Sequence, residues 1–319
     1  MLAMPWSQTQ LLQALKAAAE PTRLRLLAIL SEGELTVGEI TRILDQSQPR
    51  VSRHLKLLCE AGLLARFREQ HWVFYRVPIK GEGARLALRV LEMLAPDDDR
   101  MLLDRQRTEG VKSDRAEAAS SVLDNISQIW PTAQVSEDNE TRINACILSA
   151  LEGVEIGDLL DIGTGTGRML TLLGDRADQA IGIDISSEML LVARTRLHEA
   201  GLNHCMVRHG NMYKQPFANF SFDTVTIDQV LSQADNPGLV LREAARILRP
   251  GGILLIIDFA QIAGESGATQ LAGISERSIK SSLQQIGLRR ARVHRLDLVP
   301  QDVLVFYASR PAVVGTAVA

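Results

Sequence analysis

Cysteine is scarce in this chain of 319 residues: Cys59, Cys146 and Cys205 stand far apart. Scattered thiols fit a reducing compartment and supply no disulfide framework. Long apolar runs are missing too. The purest, residues 253–257, has strand length, whereas a membrane span needs roughly 18 residues. The first ten residues, MLAMPWSQTQ, lack a basic region followed by an apolar segment, so no secretory signal is read there. No internal repeat is visible. These absences lead to the expectation of a soluble, cytoplasmic protein with no membrane partner. What is present is ordinary globular composition, 46% hydrophobic and 23% charged, which excludes disordered and collagen-like chains. The length is about twice that of a typical domain and argues for two.

The formal charge of -3 conceals an asymmetry. Residues 1–95 hold 13 Lys and Arg against 9 Asp and Glu, and the rest of the chain reverses the balance. Within 42–76 alone, seven bases (Arg42, Arg50, Arg53, Lys56, Arg66, Arg68, Arg76) face three acids (Asp45, Glu60, Glu69). A local excess of this kind is a candidate phosphate-binding footprint.

Residues 1–95 read as short helices and one hairpin. Helices are expected over 7–19 and over 21–31, where Pro21 suits a first turn and Gly33 follows the end. Thr36 and Glu39 form a capping-box pattern for a helix over 37–44. Ser47 is placed to cap a helix over 47–61, with Pro49 near its start. Two β-rich runs, 63–68 and 71–77, meet at Glu69-Gln70 as a hairpin, and a helix over 83–94 follows. Residues 96–130 are polar and helix-prone, and read as a helical linker. Beyond them strands are expected at 158–162, 179–185, 204–210, 222–228 and 252–259, alternating with helices, which argues for a parallel sheet covered on both faces. Strands at 291–296 and 302–308 are separated by too short a connection to be parallel. Residues 131–310 thus form a second domain, and 311–319 a frayed tail.

At 100° per residue, Val51, Leu55 and Leu58 share one narrow stripe of the 47–61 helix. Ser52, Arg53 and Lys56 then point outward, with Arg50 and His54 on one flank and Gln48 at the N-terminal end. Gln and Arg can pair with adenine and guanine edges, while Ser and Lys anchor to phosphate. A merely solvated face is the bland alternative. Against it stand the three-residue turn between two helices and the following hairpin, with Arg66 and Arg68. The run ELTVGEITRILDQSQPRVSRHLKLLCEAGLLARFREQHWVFYRV resembles the ArsR-type winged helix-turn-helix repressors. The resemblance implies an α+β DNA-binding domain over 1–95 with 47–61 as recognition helix and 64–77 as wing. It further implies a homodimer paired through 7–19 and 83–94, reading two half-sites of a double-stranded operator. Metal sensors of that family carry cysteines on the helix before the recognition helix. Here LTVGEI has none, so no metal site is expected.

DLLDIGTGTGRML (158–170) is an apolar strand, a glycine-rich turn and a helix start. Gly163, Gly165 and Gly167 allow left-handed backbone and close approach of a ligand around Thr164. Asp184 closes the next strand, where an acid can accept both hydroxyls of a ribose. These two signals alone would also fit a dinucleotide site. With the segment GNMYKQPF…FD and the later LRPGG, the ordered set instead resembles class I S-adenosylmethionine-dependent methyltransferases over about 155–260.

That resemblance implies an α/β Rossmann-like seven-stranded sheet with an antiparallel last strand, and a cofactor, S-adenosylmethionine or its product S-adenosylhomocysteine. Asp161 and the Gly163–Gly165 backbone would hold the methionine part and Asp184 the ribose. Ile185 and Met212 would sandwich the adenine and Asn211 hydrogen-bond it, while Asp228 and Gln229 would face the sulfur. Plain packing for Met212 and helix capping for Asp228 stay open. Relatives usually show a His after the fourth strand, a Tyr-Phe pair before the core and a longer acidic, His-rich segment after the fifth strand. The matching places here read Ser232, Val122-Leu123 and FAQIAGESGATQ. His209 sits at a strand end and could serve as a base, or be a solvated or packed side chain, so no catalytic residue is assigned. The expected function is a DNA-binding regulator whose second domain senses the cofactor. The alternative is a methyltransferase acting on a small-molecule or protein acceptor, and a purely dimerising first domain is opposed by the Gln48, Arg50 and Arg53 face.

Overall fold

A computed structural model describes residues 5–95, 97–129, 136–261, 273–299 and 301–312. It divides into two compact units, Met1–Ala118 and Ala119–Ala319.

The first unit opens with α1 (Gln8–Ala18), started by a reciprocal Ser7/Gln10 capping box, and α2 (Pro21–Ser31), whose N-cap Glu20 accepts from the Arg23 amide. The expected capping box of α3 (Val37–Leu44) is present, and Asp45, at φ 54°, ends the helix in the left-handed region. α4 (Gln48–Glu60) differs from expectation at its start: Ser47 occupies the N-cap position without a side-chain hydrogen bond. β1 (Leu35–Thr36), β2 (Ala65–Glu69) and β3 (Trp72–Arg76) form an antiparallel sheet in the order β1-β3-β2. Glu69 pairs with Trp72, so the hairpin turn is Gln70-His71, one residue later than the sequence implied. α5 (Glu82–Glu92) completes the expected set.

α6 (Asp99–Ile129) is a single helix of 31 residues. Its first part is no free linker, because the first unit extends to Ala118 and Val111 joins that unit's core. The docking is ionic. Arg25 grips the buried Asp104 at 2.5 and 2.7 Å, Lys112 reaches Glu32 at 3.1 Å, and Arg107 donates to the Ile43 carbonyl at 3.1 Å. The stripe Asp104, Thr108, Val111, Arg115 has helical spacing but only one apolar member, so it carries no hydrophobic signature.

The second unit contains α7 (Glu137–Ala150), β4 (Gly157–Ile162), α8 (Arg168–Leu173), β5 (Ala177–Asp184), α9 (Ser187–Glu199) and β6 (Cys205–His209). β7 (Phe222–Asp228), α10 (Pro237–Ile247), β8 (Leu248–Phe259), α11 (Glu276–Gln285), β9 (Arg289–Leu296) and β10 (Val303–Ser309) follow. The sheet order is β6-β5-β4-β7-β8-β10-β9, with β10 antiparallel to both its neighbours, as expected. One apolar cluster fills each face: Leu159, Leu170, Ala193 and Val305 on one side, Leu160, Val225, Leu241 and Phe306 on the other. The chain runs from β4 outward to β6, then returns to place β7 on the other side of β4. That reversal opens a crevice at the C-terminal ends of β4 and β7, where open α/β sheets bind ligands.

Candidate functional site

Two places concern function, one in each unit. On α4 the stripe Val51, Leu55 and Leu58 is fully buried, which turns Gln48, Arg50, Arg53 and Lys56 outward. Arg66 and Arg68 on β2 are exposed as well. Ser52 is half-buried. His54 is turned inward: its Nδ1 lies 3.5 Å from Glu20 Oε2 and its side chain is only 15% exposed. Burial pushes its pKa down, although Glu20 pulls the other way. The helical pattern sets His54 among the DNA-contacting residues; the Glu20 N-cap of α2 draws it inward instead. Arg76 is also withdrawn, 4% exposed and 4.0 Å from Glu34. The exposed cationic face is therefore made by Arg50, Arg53, Lys56, Arg66 and Arg68.

The crevice of the second unit is built on the loop after β4. The amides of Gly163 and Thr164 donate to the Ile183 carbonyl at 2.8 and 2.9 Å, tying the loop to β5. Gly163 sits at φ 70°, and a Cβ there would lie 2.3 Å from a Val230 methyl. Its need for glycine is thus one of packing. Gly165, at φ 51°, would meet nothing within 4 Å; its face is open to a ligand. Gly167 lies against Ala193.

Asp184 closes β5 with both oxygens directed at backbone: Oδ2 accepts from Gly165 N and Oδ1 from Ser186 N, each at 2.9 Å. A carboxylate offers about four lone-pair sites, so acceptor capacity for two hydroxyls remains. Asp161 is 1% exposed. Its Oδ1 accepts from Thr226 Oγ1 at 2.7 Å, and its Oδ2 is buried, as is the Thr164 hydroxyl. Burial pushes the Asp161 pKa up to about 6, against the pull of Thr226 and Thr164. On the opposite wall Asp228 ends β7, and its Oδ2 takes Arg168 Nε at 2.8 Å and Nη2 at 2.6 Å. Arg168 also donates to Asn144 of α7 at 2.6 Å. Gln229, at φ 55°, turns the chain sharply after β7.

Ile185 is 68% exposed at the end of β5, and Met212 is half-buried against the core beside Phe217 and Tyr213. Asn211 is exposed, and its Oδ1 accepts from Tyr213 N at 2.8 Å, fixing the turn after β6. Asp184 pairs with His209 across β5 and β6, which brings Ile185 and the Asn211-Met212 turn to neighbouring strand ends. His209 itself ends β6, two strands away from β4. Ser232, in the position of the missing His, donates its backbone amide to Asp258 at 3.0 Å. The segment after β8 lies outside the described residues beyond Gln261. Arg168, Asn144 and Asp258 were not read from the sequence. Arg168 carried a signal, directly following the third glycine; Asn144 carried none.

The residues present fit an adenosyl amino acid: an open glycine face at Gly165, a strand-end carboxylate at Asp184 for a diol, and the buried carboxylate of Asp161. No group of His, Cys, Asp and Glu able to hold a metal occurs among the described residues, nor any helix long and apolar enough to cross a membrane.

Residues 20–66 match the family described as bacterial regulatory proteins of the arsR family, and residues 160–256 match a methyltransferase domain. The arsenical resistance operon repressor of Escherichia coli is 49% identical over 67 residues, covering 21% of this chain and 57% of that one. A demethylmenaquinone methyltransferase of Listeria welshimeri is 36% identical over 107 residues, covering 33% of this chain and 45% of that one. The chain thus spans about half the length of the curated relatives it matches. The solved structure of the cyclase SpnF, 20% identical, shares the second unit's fold with a TM-score of 0.50, covering 56% of this chain and 84% of that one. The chain joins an ArsR-type helix-turn-helix region to a Rossmann-like methyltransferase domain.

Proposed function

We propose that this protein is a cytoplasmic transcriptional regulator, with α4 and the hairpin gripping a double-stranded operator and the second unit binding S-adenosylmethionine or S-adenosylhomocysteine as effector. The observation that carries this reading is the open cradle at Gly165, held by Asp184, at a strand-end crevice whose usual His position is Ser232. A crevice that offers candidate binding groups but no assigned acid or base suits sensing better than turnover. Leu11, Leu12 and Leu15 on α1 and Leu88 on α5, all exposed and apolar, support a homodimer paired through these helices. Arg50, Arg53 and Lys56 contribute phosphate and base-edge contacts, and Arg66 and Arg68 flank them from the wing.

A ligand shifts operator affinity only if it favours one of two arrangements of the dimer. Operator binding measured with and without each cofactor form tests this, in the wild type and in Gly165→Arg. The wild type should respond and the variant should not. An equal response from both would sink the sensor reading.

The match of residues 160–256 to a methyltransferase domain favours a second reading, an active enzyme on a small-molecule or protein acceptor. When bound, the cofactor supplies a methyl group on its sulfonium. The chain's own part would be to hold the ribose at Asp184, the methionine end at Asp161 and Gly163–Gly165, and the acceptor in line with the sulfur. A methyl-release assay on candidate acceptors separates the two readings.

A further inference from the structure

The crevice between β4 and β7 is negatively charged beyond what its own cation neutralises. Asp161 on β4 is paired with Thr226, so Asp228, two residues further along β7, lies on the same face of the sheet at the strand ends. Arg168 is the cation bonded to this group, and it engages only Oδ2 of Asp228. Oδ1 of Asp228 is buried and without hydrogen-bond partner among the described residues. Burial, with a smaller push from Asp228, raises Asp161 to about 6, against the pull of Thr226, Thr164 and Arg168.

The two candidate effectors differ at one atom. S-adenosylmethionine carries a sulfonium cation, and S-adenosylhomocysteine a neutral thioether. In a partly dehydrated crevice a cation beside the unpaired Asp228 oxygen gains far more than it would in water, while a neutral sulfur leaves it uncompensated. The α-ammonium at the methionine end is common to both ligands and does not discriminate.

We infer, resting on the effector reading above, that this crevice reads the charge at the ligand's sulfur, with Asp228 as the residue that sets a preference for S-adenosylmethionine over S-adenosylhomocysteine. Arg168 acts against that preference, because it spends part of the Asp228 charge. The pair therefore tunes how sharply the protein separates the methylated form from the demethylated one.

Calorimetry on the full chain at pH 8 tests this with S-adenosylmethionine, S-adenosylhomocysteine and sinefungin, whose amine places a cation near the sulfur position. The wild type should bind both cationic ligands about tenfold more tightly than S-adenosylhomocysteine. Asp228→Asn should bring the ratio to about one, with S-adenosylhomocysteine affinity changed by less than about threefold. Arg168→Gln should widen the ratio instead. A role confined to packing α7 and α8 would weaken all three ligands alike in both variants, and that result would overturn the inference. So would a wild-type ratio near one or in favour of the thioether, which leaves the effector reading standing. Absence of binding by any of the three would remove both. If Asp228→Asn fails to fold, the wild-type ratio and the Arg168→Gln shift still decide.

Discussion

Arg115 and Glu39 form a two-pronged ion pair, Nε to Oε1 and Nη2 to Oε2 both at 2.6 Å, that fastens α6 to the first turn of α3. Arg115 donates in addition to the Glu34 carbonyl at 3.1 Å, while Glu39 accepts from the Thr36 amide and hydroxyl at 2.7 Å each. One carboxylate thus caps a helix of the helix-turn-helix and anchors a second helix beyond it.

Breaking that pair should be costly because both partners are largely covered. Arg115→Ala should destabilise the first unit by about 2 kcal/mol, read by thermal or urea unfolding. A fragment ending at residue 95 should be less stable than one ending at 118. Burial acts to raise the Glu39 pKa, but Arg115 and Thr36 outweigh it and hold the pKa below the usual value. The stabilisation from Glu39 is therefore present above the ordinary glutamate pKa and lost as pH falls through the lowered one. Arg115→Ala should lessen that acid-side loss.

The two outward and inward residues of α4 should behave oppositely. Arg53→Ala should reduce the slope of log operator affinity against log salt by about 1, read by fluorescence anisotropy. His54→Ala should leave that slope unchanged and lower unfolding stability by about 1 kcal/mol, since its side chain packs against Glu20.

Two glycines of one loop should respond differently. Gly163→Ala drives a methyl into Val230 and should cost about 2 kcal/mol of stability in the second unit. Gly165→Arg meets open space, so it should add only about 1 kcal/mol of backbone strain while abolishing ligand binding. Unfolding and calorimetry on the same preparations read both.

Asp184→Ala removes the acceptor for two loop amides and the proposed ribose contact together. Ligand affinity should fall by at least about tenfold, as two charge-assisted bonds imply. Unchanged affinity would rule out the ribose assignment.

Burial raises Asp161 from 3.8 to about 6, so the folded unit binds this proton more tightly than the unfolded chain does. Stability from this group is then greatest at low pH and declines as pH rises through the window from 3.8 to about 6. Asp161→Asn should remove that decline, leaving the variant up to about 3 kcal/mol better placed relative to wild type at pH 8 than at pH 4. Urea unfolding at the two pH values checks it.

Much of the architecture follows from periodicity and local chemistry in the chain itself. The Val51, Leu55, Leu58 stripe sets which side of α4 is buried, and the turn residues set where α3 ends. The glycine loop and Asp184 mark the crevice, and the short final connection forces β10 to run antiparallel. These features are legible because each depends on spacing within one segment. Packing between segments decided the rest. His54 lies on a helix flank, and only Glu20 arriving from α2 turns it inward. The first part of α6 docks through Asp104, Lys112 and Arg115, polar residues that leave no apolar period to read, so its partners become visible only once α2 and α3 are folded. Arg168, Asp228 and Asn144 come from three separate elements, and the hydrogen bonds among them act only at contact. Their common field exists only where the sheet reverses direction and brings those elements together.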